Sequence, residues 1–174
     1  MIIKSFIIEK DITHLEKYKY VLFYGENNGI KDDLKDKIKH KNKNAEIINL
    51  FQEEILQNKN ILSEQINNSS LFNSERIIFL YEITDKTFDQ IKECLENNKE
   101  NLKIYIFSNI LEKKSKLRNY FEKDNKLAIM PCYQDNERTL TNYINLKFKD
   151  YKGLTPQIVS LIIYNSSFDR KIIK

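Results

Sequence analysis

The sequence predicts an α/β protein built on a parallel five-stranded sheet with flanking helices. Three observations predict it. Apolar runs of strand length recur along the chain, helix-like stretches lie between them, and each run is apolar almost without a break. Strands joined by helices of roughly 10–15 residues imply right-handed crossovers and a parallel sheet. Strands of such a sheet are covered on both faces, so they need not alternate apolar with polar.

Each element follows from its residues. The opening MIIKSFIIEKD has a short apolar stretch broken by Lys4 and Ser5, which is no signal-peptide core and reads as a first strand. Tyr20 to Tyr24 is the first strong strand. Ile30, Leu34 and Ile38 then recur at i, i+4, i+8, one face of a helix over Ile30 to Lys41. Ala45 to Leu50 is a short strand, and Gln52 to Asn68 carries one or two short helices. Ile77 to Tyr81 is a strand, Phe88, Ile91 and Leu95 mark a helix, and Lys103 to Phe107 is the next strand. Glu112 to Lys123 reads as a helix with Leu117, Tyr120 and Phe121 on one side, and Leu127 to Met130 as the last strand.

After Pro131 the pattern changes. Asp135 to Lys149 is helical, Gly153 breaks it, and Thr155 followed by Pro156 has the form of an N-cap and first helical position. Ile158, Val159, Leu161, Ile162 and Ile163 make the last helix apolar nearly all round, so it needs partners on several sides. We expect residues 1–136 to form one α/β domain and residues 137–174 to be the start of a small helical domain that is cut short.

Bulk properties exclude several classes. The 174 residues are 41% hydrophobic and 31% charged, which suits a chain with a substantial core. No apolar run approaches the roughly 20 residues of a membrane span. Cys94 and Cys132 form no CxxC pair and read as reduced thiols of a cytoplasmic protein. His14 and His40 have no Cys or His at ligand spacing, so neither a metal nor a cofactor is expected. A net charge of +4, from 29 basic and 25 acidic residues, falls short of a dedicated nucleic-acid binder.

The stretch YGENNGIKDDL leaves the first strong strand and opens a helix, the position of a phosphate-binding loop. A working loop reads G-x-x-x-x-G-K-[ST]. Here Gly25 and Gly29 are one residue too close, Ile30 separates Gly29 from Lys31, and Asp32 replaces the magnesium-binding hydroxyl. The strand over Ile77 to Tyr81 continues Glu82-Ile-Thr-Asp85, without the Asp-Glu pair that activates water. Gly25, Gly29 and Lys31 therefore form a degenerate loop that is not expected to bind nucleotide. Ahead of that strand, Leu71 and Phe72 sit in polar company, SSLFNSER, and either fold back into the core or project for a partner.

Taken together, LFYGENNGIKDDL, SSLFNSERIIFL, IYIFSN, EKKSKLRNYFEK and PCYQDNERTL resemble, in order and spacing, the delta subunit of bacterial DNA polymerase III, a clamp-loader family. The resemblance covers the whole chain and about the first half of a typical delta subunit. It implies an AAA+-like domain followed by the opening of a helical lid. It also implies a non-catalytic subunit of the clamp loader that binds the sliding clamp (the beta subunit) and opens it on primed DNA, beside the other loader subunits. No intrinsic ATPase is expected, although the family is assigned to a nucleotidyltransferase holoenzyme. In the family a Ser-Leu-Phe element carries the clamp contact. The matching residues are Ser70, Leu71 and Phe72, with Gln65, Asn68 and Ser69 on the approach. Lys113, Lys114, Lys116 and Arg118 match a region that faces DNA in related loaders, so they are candidate phosphate contacts; a solvated helix face is the other reading. Ser108 and Asn109 hold the place of a nucleotide sensor and are expected to cap a turn instead. Two other functions stay open: a P-loop-like NTPase with an unusual loop, and a DNA-binding AAA+-like domain without clamp contact.

Overall fold

The computed structural model describes residues 1–67, 75–96 and 101–173. Its centre is a five-stranded sheet in the order β2-β3-β4-β1-β5. The strands are β1 (Tyr20–Tyr24), β2 (Glu46–Phe51), β3 (Arg76–Tyr81), β4 (Leu102–Ser108) and β5 (Ala128–Pro131). Every neighbouring pair is parallel, as the unbroken apolar runs require.

Helices cover both faces. Side chains alternate across a strand, so each strand feeds two cores. Tyr20, Leu22 and Tyr24 of β1 join one cluster, with Ile78, Leu80, Ile104 and Ile106 from its neighbours. Helices α3 (Gln52–Gln57), α4 (Ile61–Asn67), α5 (Phe88–Glu96) and α6 (Lys116–Lys123) cover that side. Val21 and Phe23 join the opposite cluster with Phe79, Tyr105 and Phe107. There α2 (Asn28–Lys41) supplies Ile30, Leu34 and Ile38, all buried as their spacing predicts. Phe23 and Phe79 are fully enclosed, and truncating such a ring to alanine costs about 3–5 kcal/mol.

Two sequence expectations are corrected here. The amino terminus is not a strand. Ile2 makes one isolated bridge to Ile129, and Ser5–Lys10 is a helix, α1. The helix turns Ile7 and Ile8 onto the core, beside Ile3 just ahead of it. The basic segment is also shorter as a helix than expected. Ser115 is its N-cap, accepting from the Arg118 amide, so α6 begins at Lys116 and leaves Lys113 and Lys114 on the preceding turn.

The carboxyl-terminal helices are α7 (Glu137–Lys147) and α8 (Pro156–Asn165), the latter capped by Thr155 with Pro156 following. They share a small core of their own, from Leu140, Ile144, Val159, Ile163 and Ile173. The outer face of α8 remains open: Leu161 is 60% and Tyr164 78% exposed. Among the described residues no helix is long and apolar enough to cross a membrane.

Candidate functional site

The loop between β1 and α2 lies at the carboxyl ends of the strands, where ligands of open α/β sheets bind. A phosphate cradle works by presenting free backbone N–H groups. Here three of the loop's amides, those of Gly25, Asn27 and Ile30, donate to the protein itself. The Gly25 amide donates to the Asn109 carbonyl at 3.1 Å, and the Asn27 amide to the Cys132 carbonyl at 3.0 Å. The Ile30 amide donates to Asn27 Oδ1 at 3.0 Å. Asn27 Nδ2 reaches Asp135 Oδ2 at 2.7 Å and the Tyr133 carbonyl at 3.1 Å.

Gly25 serves this close packing. Its φ is +131°, and a Cβ added there would lie 2.3 Å from the Cys132 carbonyl oxygen. Cys132 returns a 2.6 Å hydrogen bond from its amide to the Tyr24 carbonyl. The loop is thus sewn to the end of β5. Burial pushes the Cys132 thiol up to about 12, which leaves it inert as a nucleophile.

Lys31 points inward. It is 7% exposed, and its Nζ donates to the Gly25 carbonyl at 2.9 Å and the Ser108 carbonyl at 3.1 Å. Burial lowers its pKa, because desolvation penalises the charged form. The ammonium therefore ties the loop to β4 and is not held toward solvent for a phosphate. Asp32 pairs with Lys35 at 3.2 Å and with Lys171 at 2.8 Å. Burial raises its pKa, but the hydrogen bonds from Lys171 and Lys35 outweigh that and hold it below the usual carboxylate value.

Of the two acidic residues after β3, Glu82 lines the cleft beside Lys31 and Asp85 is engaged elsewhere. Glu82 has a left-handed φ of 58°. Asp85 caps α6, accepting from Ser115 Oγ at 2.7 Å and from the Lys116 and Leu117 amides at 2.9 and 3.0 Å. Neither forms a water-activating pair. Ser108 and Asn109 hold the loop through their carbonyls, and the buried Ser108 Oγ has no hydrogen-bond partner in the structure.

Arg118 does not join the exposed cations predicted beside it. Its Nε donates to Glu122 at 2.7 Å, its Nη1 to the Leu111 carbonyl at 3.1 Å, and its guanidinium lies 5.0 Å from the Tyr24 ring centre. The next turn of α6 supplies a carboxylate at i+4, which captures it. Lys113, Lys114 and Lys116 are exposed, and Lys114 pairs with Glu112 at 3.0 Å.

Ser70, Leu71 and Phe72 lie outside the described residues, as do Asn68 and Ser69. Their flanks are anchored together: Arg76 Nη1, at the start of β3, donates to the Gln65 carbonyl on α4 at 2.7 Å. Sequence reasoning missed a further member of the site. Arg170, after α8, packs on Gly29, where an added Cβ would lie 2.4 Å from Arg170 Cγ.

No protein-family model matches the chain, and no curated protein does. Solved structures do. The Bacillus subtilis DNA clamp loader delta protein matches 97% of this chain and 56% of its own, at a TM-score of 0.65 and 13% identity. A structure of Drosophila ORC bound to DNA matches 93% of this chain and 57% of its own, at a TM-score of 0.51 and 11% identity. This chain therefore spans little more than half the length of either neighbour. At such identities the likeness is one of fold alone, a five-stranded parallel sheet with flanking helices.

Proposed function

We propose that this chain is a non-catalytic clamp-loader subunit of the DNA polymerase III delta kind, which binds and opens the sliding clamp during DNA replication. The observation that carries the reading is the likeness to the Bacillus subtilis clamp loader delta protein over 97% of this chain. The loop supports the non-catalytic half of it. The amides of Gly25, Asn27 and Ile30 and the Lys31 ammonium donate to carbonyls and side chains of the protein itself, which withdraws them from a phosphate.

In this reading residues 1–136 are the AAA+-like, clamp-binding domain and residues 137–174 begin the helical lid. Leu71 and Phe72 enter an apolar pocket of the clamp, with Ser70 at the rim. Burying a Leu and a Phe contributes about 1.5–3 kcal/mol each, and a few such anchors dominate most interfaces. Lys113, Lys114 and Lys116 track DNA phosphates without sequence preference, whereas Arg118, held by Glu122, positions the α6 turn. The partners are the sliding clamp, the other loader subunits and primed DNA, in the cytoplasm. The experiment is a pull-down with the sliding clamp of the same organism. Specific retention supports the reading; passage of the chain without retention removes it.

A further inference from the structure

Arg170 is a buried cation with several charged partners. It is 2% exposed and meets groups from α1, α2, α7 and the segment before α7. Its Nε and Nη2 grip both oxygens of Asp135, at 2.7 and 2.6 Å, before α7. Nη1 reaches Glu9 of α1 at 2.7 Å and lies 3.8 Å from Asp33 of α2. The guanidinium stands 4.5 Å from the ring centre of Tyr143 on α7. A forked pair with one carboxylate plus a second ion pair fixes the side chain in direction as well as position.

Two independent features belong to the same place. Ser167 and Phe168 both have left-handed φ, 49° and 61°. Side-chain-bearing residues hold that conformation only where the surroundings over-determine it. Gly29, in the first turn of α2, meanwhile leaves no room for a Cβ beside the Arg170 stem. Next door Lys171 takes Asp32 at 2.8 Å. The cleft of about 390 Å³ at the mouth of the loop is walled on one side by Asn28 and Gly29, on the other by residues 167–171.

We propose that residues 167–171 form a built-in latch. It covers the mouth of the loop and, through Arg170, pins α7 and α8 to the sheet domain in one arrangement. Breaking the latch then frees α7 and α8 to move while the sheet stays folded. This inference does not depend on clamp binding.

Hydrogen exchange of the full chain, read peptide by peptide, tests it with two variants. Arg170→Met keeps the length of the stem and removes the charge. Gly29→Ala keeps every charge and pushes the stem out. Both are expected to speed exchange at least tenfold in residues 158–173 and in the loop over 25–31. Amides of β1, β3 and β4 should exchange as in the parent. Arg170→Lys, which lacks the fork, should behave like Arg170→Met. Parent-like exchange in α8 of both Arg170→Met and Gly29→Ala would overturn the latch. So would exchange that rises equally across the sheet, or loss of folding in Arg170→Met, since the network would then belong to the global core.

Discussion

Replacing Gly25 by alanine tests directly whether the loop after β1 is a structural seam. The new Cβ would meet the Cys132 carbonyl oxygen at 2.3 Å and its carbon at 2.8 Å. Both are backbone atoms, so no rotamer change relieves the overlap. The φ of +131° adds backbone strain worth about 1–3 kcal/mol for a residue with a side chain. Moving β5 away stretches the bonds from Cys132 to Tyr24 and from Asn27 to Cys132, each worth about 0.5–1.5 kcal/mol. Together these come to about 2–6 kcal/mol, a large share of the ~5–15 kcal/mol that holds a domain. At about 2–4 °C per kcal/mol for a chain of this size, the central value of about 4 kcal/mol lowers melting by roughly 12 °C. Gly153→Ala is the internal control. Its φ is also positive, +86°, but nothing lies within 4 Å of the added Cβ. It should cost about 1 kcal/mol and move the melting point by roughly 2–4 °C. Thermal unfolding followed by circular dichroism reads both. Equal melting points for the two variants would refute the seam.

Three further outcomes follow from the same geometry. Titration of ATP with magnesium by calorimetry should give no saturable micromolar heat, because Lys31 and the loop amides already have partners; saturable binding would restore the nucleotidase reading. Asp85→Ala removes the acceptor for three donors at the start of α6 and should cost about 1–2 kcal/mol. Burial raises the Asp85 pKa, but hydrogen bonds from Leu117, Ser115 and Lys116 bring it below its ordinary 3.8. Its contribution is therefore complete above that value and is lost as pH falls through the lower folded one, so parent and variant should converge in acid unfolding curves. Truncation after residue 136 should leave a chain that unfolds cooperatively and is more soluble, since both sheet cores end at Cys132 and the exposed Leu161 and Tyr164 are removed; loss of cooperative unfolding would move the boundary.

Much of the fold was legible because its signals are local. Continuous apolar runs marked all five strands, and the spacing of Ile30, Leu34 and Ile38 marked α2. The amino terminus was misread because its apolar run is too short to separate period two from period 3.6. The departure from a phosphate-loop spacing was legible from Gly25 and Gly29. Where the loop's donors went was not, because Cys132 and Asn109 are distant in sequence. Arg170 escaped for the same reason: Glu9, Asp33 and Asp135 carry no pattern that links them to it. Arg118 looked like one more surface cation, and only its contacts with Glu122 and Leu111 separate it from Lys113 and Lys116.

The central claim is that Leu71 and Phe72 serve a partner and not the core. The most direct measurement pairs thermal unfolding with sliding-clamp affinity on one variant, Leu71→Ala/Phe72→Ala. If the pair were core, each truncation would cost about 2–5 kcal/mol and the variant would melt far below the parent. We predict a melting point within a few degrees of the parent, with clamp affinity weakened by roughly 2 kcal/mol or more per anchor. A variant that melts far lower, or one that melts normally and holds the clamp as tightly as the parent, would contradict the account.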